Sequence, residues 1–126
     1  MGILSGLLGT SDEMSSESLN EELSGFLVET ERIRYACKAI NKRLVFTNKR
    51  LIIYSNSDED SGQVQYSSVP YHNIGSFDME YGEFRKSESK ITLYLLSSGR
   101  VEEVFLDSDV DVKQLYKLLS EFIFLL

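Results

Sequence analysis

Between Arg32 and Arg50 the chain carries seven basic residues, Arg32, Arg34, Lys38, Lys42, Arg43, Lys49 and Arg50, and no acidic one. Lys and Arg side chains gathered this closely are donors for phosphate oxygens or for the carboxylates of a protein surface. Other groups with chemical potential are sparse. His72 is the only histidine and Cys37 the only cysteine, whereas catalysis needs convergent groups, a nucleophile or acid beside a tuned base. His72 follows Pro70-Tyr71 at a strand start and reads as a structural or surface residue. Cys37 falls on the apolar side of an alternating run and reads as a buried, inert thiol. Asp58, Glu59 and Asp60 lack the alternating ligands and closing Glu of a calcium loop, no zinc spacing occurs, and the glycines form no phosphate-binding fingerprint. The sequence implies no cofactor, no metal site and no enzyme activity.

The basic stretch contrasts with the rest of the chain. Outside it lie six basic and all twenty acidic residues, a balance of −14 within a net charge of −7. So acidic a chain repels nucleic acid, and contact with an anionic membrane ranks well below contact with protein. The acidic positions Asp58 to Asp60, Glu102, Glu103, Asp107 and Asp109 can instead meet the basic stretch of an identical neighbour. Such a contact is head-to-tail, and it closes into a ring when the rotation allows.

The elements that position these residues follow from periodicity. Leu44 to Tyr54 is two β-branched and aromatic runs broken by Thr47-Asn48-Lys49-Arg50, a hairpin in which Asn48 is suited to a positive φ. From Glu31 to Ile40, Ile33, Tyr35, Cys37 and Ala39 alternate with Arg32, Arg34, Ala36 and Lys38, which predicts a strand with one apolar and one basic face. Further strands are expected over Val64 to Val69, Tyr71 to Tyr81 with a bulge at Gly75, Lys90 to Leu96 and Val101 to Leu106, with a turn at Ser97 to Arg100. Leu19, Leu23, Phe26 and Leu27 fall at helical spacing and predict a short helix over about Glu17 to Val28. Val112, Leu115, Leu119, Phe122 and Leu126 predict a C-terminal helix for which Asp107, Ser108 and Asp109 supply the cap, with Asp111 three residues after Ser108. The apolar end Phe122 to Leu126 must be covered by the body or by a neighbouring chain.

Together these predict a mainly β fold, a seven-stranded antiparallel pleckstrin-homology-like barrel capped by a C-terminal α-helix, with a short N-terminal helix. Residues 1–28 form the N-terminal helical extension and residues 29–126 the barrel with its helix. At 126 residues, 42% hydrophobic and 26% charged, one domain can bury about two-thirds of its unfolded surface. A single cysteine gives no sign of an oxidising compartment, so the cytoplasm is the expected location. The apolar patch Ile3, Leu4, Leu7 and Leu8 is far shorter than the roughly 20 residues of a membrane span, and Gly6 stands where a myristoylation pattern needs Ser or Thr.

The segment Phe46-Thr47-Asn48-Lys49-Arg50-Leu51-Ile52, followed by Tyr66 to Tyr71 and Phe77 to Glu80, resembles the bacterial pleckstrin-homology-like domain family, as does the opening Gly2-Ile3-Leu4 with Gly6-Leu7-Leu8-Gly9. It departs from the family pattern at Asn41-Lys42, Ser61-Gly62-Gln63 and Tyr81 to Lys86. The resemblance implies the fold just described, a helical N-terminal segment and assembly into rings, without catalytic activity. In lipid-binding pleckstrin-homology domains phosphates sit among cations near the first hairpins, where Lys38, Lys42, Arg43, Lys49 and Arg50 fall. The sequence thus supports an interaction or scaffold module that binds itself or other proteins. A phosphate or anionic-lipid binder using residues 32–50 is the alternative, and a third reading is an extended peptide held between an edge strand and the C-terminal helix near Tyr94 or Tyr116.

Overall fold

β-Branched and aromatic residues recurring at every second position build seven antiparallel strands: β1 (Ile33–Ala39), β2 (Lys42–Thr47), β3 (Arg50–Asp58), β4 (Gln63–Pro70), β5 (Ile74–Glu80), β6 (Lys90–Leu95) and β7 (Val101–Phe105). The computed structural model describes residues 16–58, 62–82 and 89–124. The apolar opening Ile3 to Leu8, Glu59 and Asp60 of the acidic loop, the charged residues 83–88 and the terminal Leu125-Leu126 lie outside the described residues.

The strands form two sheets in sequence order, β1-β2-β3-β4 and β5-β6-β7, rather than the one seven-stranded barrel expected. Two features keep it open. Pro70 (φ −62°) leads into a 3-10 turn over Tyr71–Asn73, which ends β4 and carries the chain away before β5 begins, and a proline has no N–H to continue a ladder. On the other side, β1 and β7 join only at their ends. There the Ala39–Leu106 bridge is flanked by Ile40 N–H donating to the Phe105 carbonyl (2.8 Å) and Asp107 N–H to that of Lys38 (3.1 Å).

Through β1 to β3 the first sheet is buried on both faces, whereas β4 is largely exposed. Tyr35, Phe46, Leu51 and Val69 stand opposite one another in one row, and Ala36, Val45 and Ile52 in the next, and all are buried. The expected alternation of β1 holds, with Ile33, Tyr35, Cys37 and Ala39 buried, Arg34 exposed and Lys38 half-buried, except at Ala36, which is buried on the side expected to be basic. A bulge between Ile33 and Tyr35 moves Ile33 to the row of Thr47. The N-terminal helix (Ser16–Leu23) and the turn after it cover this second row. Leu19 and Leu23 are buried in the common core, Phe26 stacks on Tyr66 of β4 at 4.4 Å, and the Phe26 carbonyl accepts a hydrogen bond from Arg50 of β3 (2.8 Å). The helix stops at Leu23 rather than near Val28, and a tight turn follows, with Phe26 N–H bonded to the Leu23 carbonyl at 2.8 Å.

The C-terminal helix (Val112–Ile123) begins at Asp111, whose carboxylate accepts from Gln114 N–H (3.1 Å). Its apolar stripe, Val112, Leu115 and Leu119, is buried, Phe122 lies flat on Tyr71 at 4.4 Å, and Tyr116 and Phe124 both contact Phe77 of β5. The expected bulge at Gly75 is present as a register shift between Ile74 and Ser76. A side chain at Gly75 would meet Leu96 at 2.6 Å. Among the described residues no helix is long and apolar enough to cross a membrane.

Candidate functional site

Arg50, expected at the centre of a basic patch, faces inward. Its guanidinium forms a two-pronged pair with Glu31, Nε to Oε2 and Nη2 to Oε1, both at 2.9 Å, and Nη1 reaches Ser68 Oγ at 3.0 Å. Glu31 is buried and also accepts from the Thr47 hydroxyl (2.6 Å) and Val28 N–H (3.1 Å). Burial alone would push the Glu31 carboxyl up, but the bonds from Arg50, Thr47 and Val28 together carry it below its ordinary value. Thr47 Oγ1 also accepts the N–H groups of Lys49 and Arg50 (both 3.0 Å), closing the turn. The Tyr71 hydroxyl lies against the carbonyls of Thr47 and Arg50.

Asn48 does not take a positive φ. Its side chain ties the turn to the entry of β1, accepting from Arg32 N–H (2.7 Å) and donating to the Thr30 carbonyl (3.1 Å). The left-handed residue is Asn41 (φ 63°), in the β1–β2 turn. The motif is therefore a structural knot in which Glu31, Thr47, Asn48, Arg50 and Tyr71 fasten the N-terminal segment, the hairpin and the end of β4.

The remaining cations are dispersed. Lys42 Nζ pairs with Glu102 (2.9 Å) and reaches the Glu103 carbonyl (3.4 Å), linking the two sheets where β1 and β7 meet. Arg34 stands 5.8 Å from the centre of the Phe122 ring, beside Lys117 and Glu121 at a shallow hollow along the C-terminal helix. Lys38 and Arg43 face each other across β1 and β2, both half-buried. Arg32 and Lys49 are exposed, flank Asn48 at the far end of the first sheet, and have no ion pair among the described residues. The structure does not bring the seven cations into one cradle.

Cys37 is fully buried, and burial raises its thiol pKa. His72 is exposed in the 3-10 turn. Among the described residues no group of His, Cys, Asp and Glu is placed to hold a metal ion.

The second sheet differs from the first in that no described element covers its outer face. The register lines up three outward rows, Ser76-Tyr94-Val101, Asp78-Thr92-Glu103 and Glu80-Lys90-Phe105. Tyr94, Val101 and Phe105 are 37%, 53% and 47% exposed, interleaved with the charged residues of the same rows. The Tyr94 hydroxyl donates to Asp78 (2.6 Å). Lys90 lies 5.6 Å over the Phe105 ring, between Glu103 (3.2 Å) and Glu80 (3.5 Å). Of the apolar residues of this face the sequence singles out Tyr94 alone, as the neighbourhood of a peptide groove, while Val101 and Phe105 are the apolar residues at the outward parity of β7 that signal the rest.

A family model for the bacterial PH domain matches residues 2–123. The chain belongs to the bacterial PH domain family. The uncharacterized protein YjqA of Bacillus subtilis (strain 168) is 30% identical to this PH domain over 95 residues, 75% of this chain and 76% of the relative. Two solved structures share the fold, each with a TM-score of 0.76. A DUF1696 family protein with a pleckstrin-homology domain from Shewanella loihica PV-4 is 26% identical, over 87% of this chain and 94% of that one. A pleckstrin homology domain from Shewanella amazonensis SB2B is 25% identical, over 87% of this chain and 99% of that one. In this PH domain the residues that carry the family resemblance, Phe46 to Ile52 and Tyr71, are those that build the buried knot. Their pattern reports the fold.

Proposed function

We propose that this bacterial PH domain is a non-enzymatic interaction module of the cytoplasm that binds copies of itself, head to tail, in a closed ring, with residues 1–28 acting as an extension fastened to the body of residues 29–126. The observation that carries this reading is the contrast between the two sheets. One is covered on both faces through β1 to β3, whereas the other turns Tyr94, Val101 and Phe105 outward among Asp78, Glu80 and Glu103. An exposed apolar face rimmed by charge suits protein contact.

The disposition of the cations weighs against the phosphate or anionic-lipid alternative. Arg50 and Lys42 are engaged by Glu31 and Glu102, and the exposed Arg32 and Lys49 sit on a chain of net charge −7. Light scattering of the full chain tests the choice. A multimer in low salt that shifts toward monomer near 0.5 to 1 M salt, where the screening length is about 3 to 4 Å, and that ignores anionic vesicles is expected. A monomer that sediments with such vesicles overturns the reading.

A further inference from the structure

We infer that the outer face of the second sheet is the acceptor of the head-to-tail contact and that the Arg32–Lys49 corner of the next copy is the donor. This rests on the self-assembly reading and gives it two surfaces. The acceptor already holds one cation of its own. Lys90 sits over the Phe105 ring at 5.6 Å with Glu103 and Glu80 at 3.2 and 3.5 Å, so the face binds a cation by ring and carboxylate together. Beside it, Tyr94 presents an exposed ring next to Asp78, whose carboxylate accepts a hydrogen bond from the Tyr94 hydroxyl at 2.6 Å, and Glu103, already paired with Lys90, lies across Thr92 from Asp78. An arriving guanidinium can stack on the Tyr94 ring and face these carboxylates, the geometry that Arg favours at interfaces.

The donor is chosen among the seven cations of the basic stretch. Arg50 and Lys42 are held inside the fold, Arg34 lies on Phe122, and Lys38 and Arg43 are half-buried across β1 and β2. Arg32 and Lys49 project from either side of Asn48, whose bonds to the backbone of Arg32 (2.7 and 3.0 Å) fix the two at one corner. That corner is at the opposite end of β1 from the Ala39–Leu106 junction with β7, about 23 Å away at roughly 3.3 Å per residue. One chain therefore offers donor and acceptor at separate places, and a head-to-tail repeat of this contact closes into a ring when the rotation allows. Aromatic and apolar side chains with a local charge match explain how chains of net charge −7 associate at physiological salt, where repulsion between distant charges is screened within about 8 Å.

The test uses the full chain in two charge-reversed forms, Arg32→Glu/Lys49→Glu and Asp78→Lys/Glu103→Lys, all at exposed positions, with circular dichroism to verify folding. Should the second form fail to fold, Val101→Lys places one cation on the same face. Light scattering across concentration is expected to show each form weakened in assembly by about tenfold or more, and the equimolar mixture restored to near the wild-type mass, because each reversed surface then meets its complement. Wild type that assembles while both variants assemble equally well overturns the surface assignment and leaves self-assembly standing. Variants that dissociate but are not restored by mixing also overturn it. Wild type that stays monomeric at every concentration overturns the self-assembly reading itself.

Discussion

Replacing Glu31 removes the acceptor at the centre of the hairpin knot. Four donors lose this acceptor, Arg50 Nε and Nη2 (2.9 Å each), the Thr47 hydroxyl (2.6 Å) and Val28 N–H (3.1 Å), although Arg50 Nη2 keeps the Phe26 carbonyl and the Thr47 hydroxyl can turn to the Arg50 carbonyl. Breaking one side of a buried ion pair costs roughly 3 to 5 kcal/mol. The Glu31 side chain is fully buried, but that of Arg50 is 25% exposed, so water can reach part of the stranded guanidinium and the low end applies. Glu31→Leu is thus expected to lose about 3 kcal/mol, or roughly 12 °C in melting temperature for a domain of this size. Arg50→Met should cost as much or more, because it strands the more deeply buried partner. The double variant leaves no buried charge, and its loss should fall short of the sum of the singles by about 2 kcal/mol. The pH dependence has a definite sign. The folded-state pKa of Glu31 is lowered, so its contribution is complete above the unfolded value near 4.5 and disappears as pH falls through the lower folded value. The stability gap between wild type and Glu31→Leu should be level from neutrality to about pH 5 and narrow below about 4.5. Urea denaturation at a series of pH values measures all of this. Single variants that each cost less than about 1 kcal/mol, or losses that simply add, would refute the knot.

Other positions give sharper local tests. Asn48→Ala loses the bonds to Arg32 N–H and the Thr30 carbonyl and should cost about 1 to 2 kcal/mol in the same denaturation assay. Asn41 holds φ 63°, so Asn41→Ala should destabilise by about 1 kcal/mol whereas Asn41→Gly is tolerated. Cys37, fully buried with a raised thiol pKa, should react with a thiol reagent on the order of a thousandfold more slowly in the native protein than in denaturant. A fast native reaction would mean the thiol is not enclosed.

The strands, their order and both helices were legible in the sequence because each has a periodic apolar pattern, and the Gly75 bulge was legible because a residue without a side chain breaks one. The break into two sheets was not. It depends on whether β4 meets β5, and the deciding residues, Pro70 and the 3-10 turn Tyr71–Asn73, read equally well as a short link. The alternation of β1 departs from expectation at one residue, Ala36, which joins the buried row of Val45 and Ile52. Charge was the least legible property of the candidate site. Linear sequence brings Arg32 to Arg50 together without an acid, but Glu31 lies one residue outside that window and takes up Arg50, while Glu102, sixty residues on, takes up Lys42. Pairing across such separations is fixed by tertiary register, which no local pattern records.

Sedimentation velocity on the full chain in low salt and near 1 M salt tests self-assembly. A discrete multimer is expected in low salt, giving way toward monomer as the screening length falls to about 3 Å. A monomer at every concentration in low salt, or a multimer indifferent to salt, contradicts that expectation.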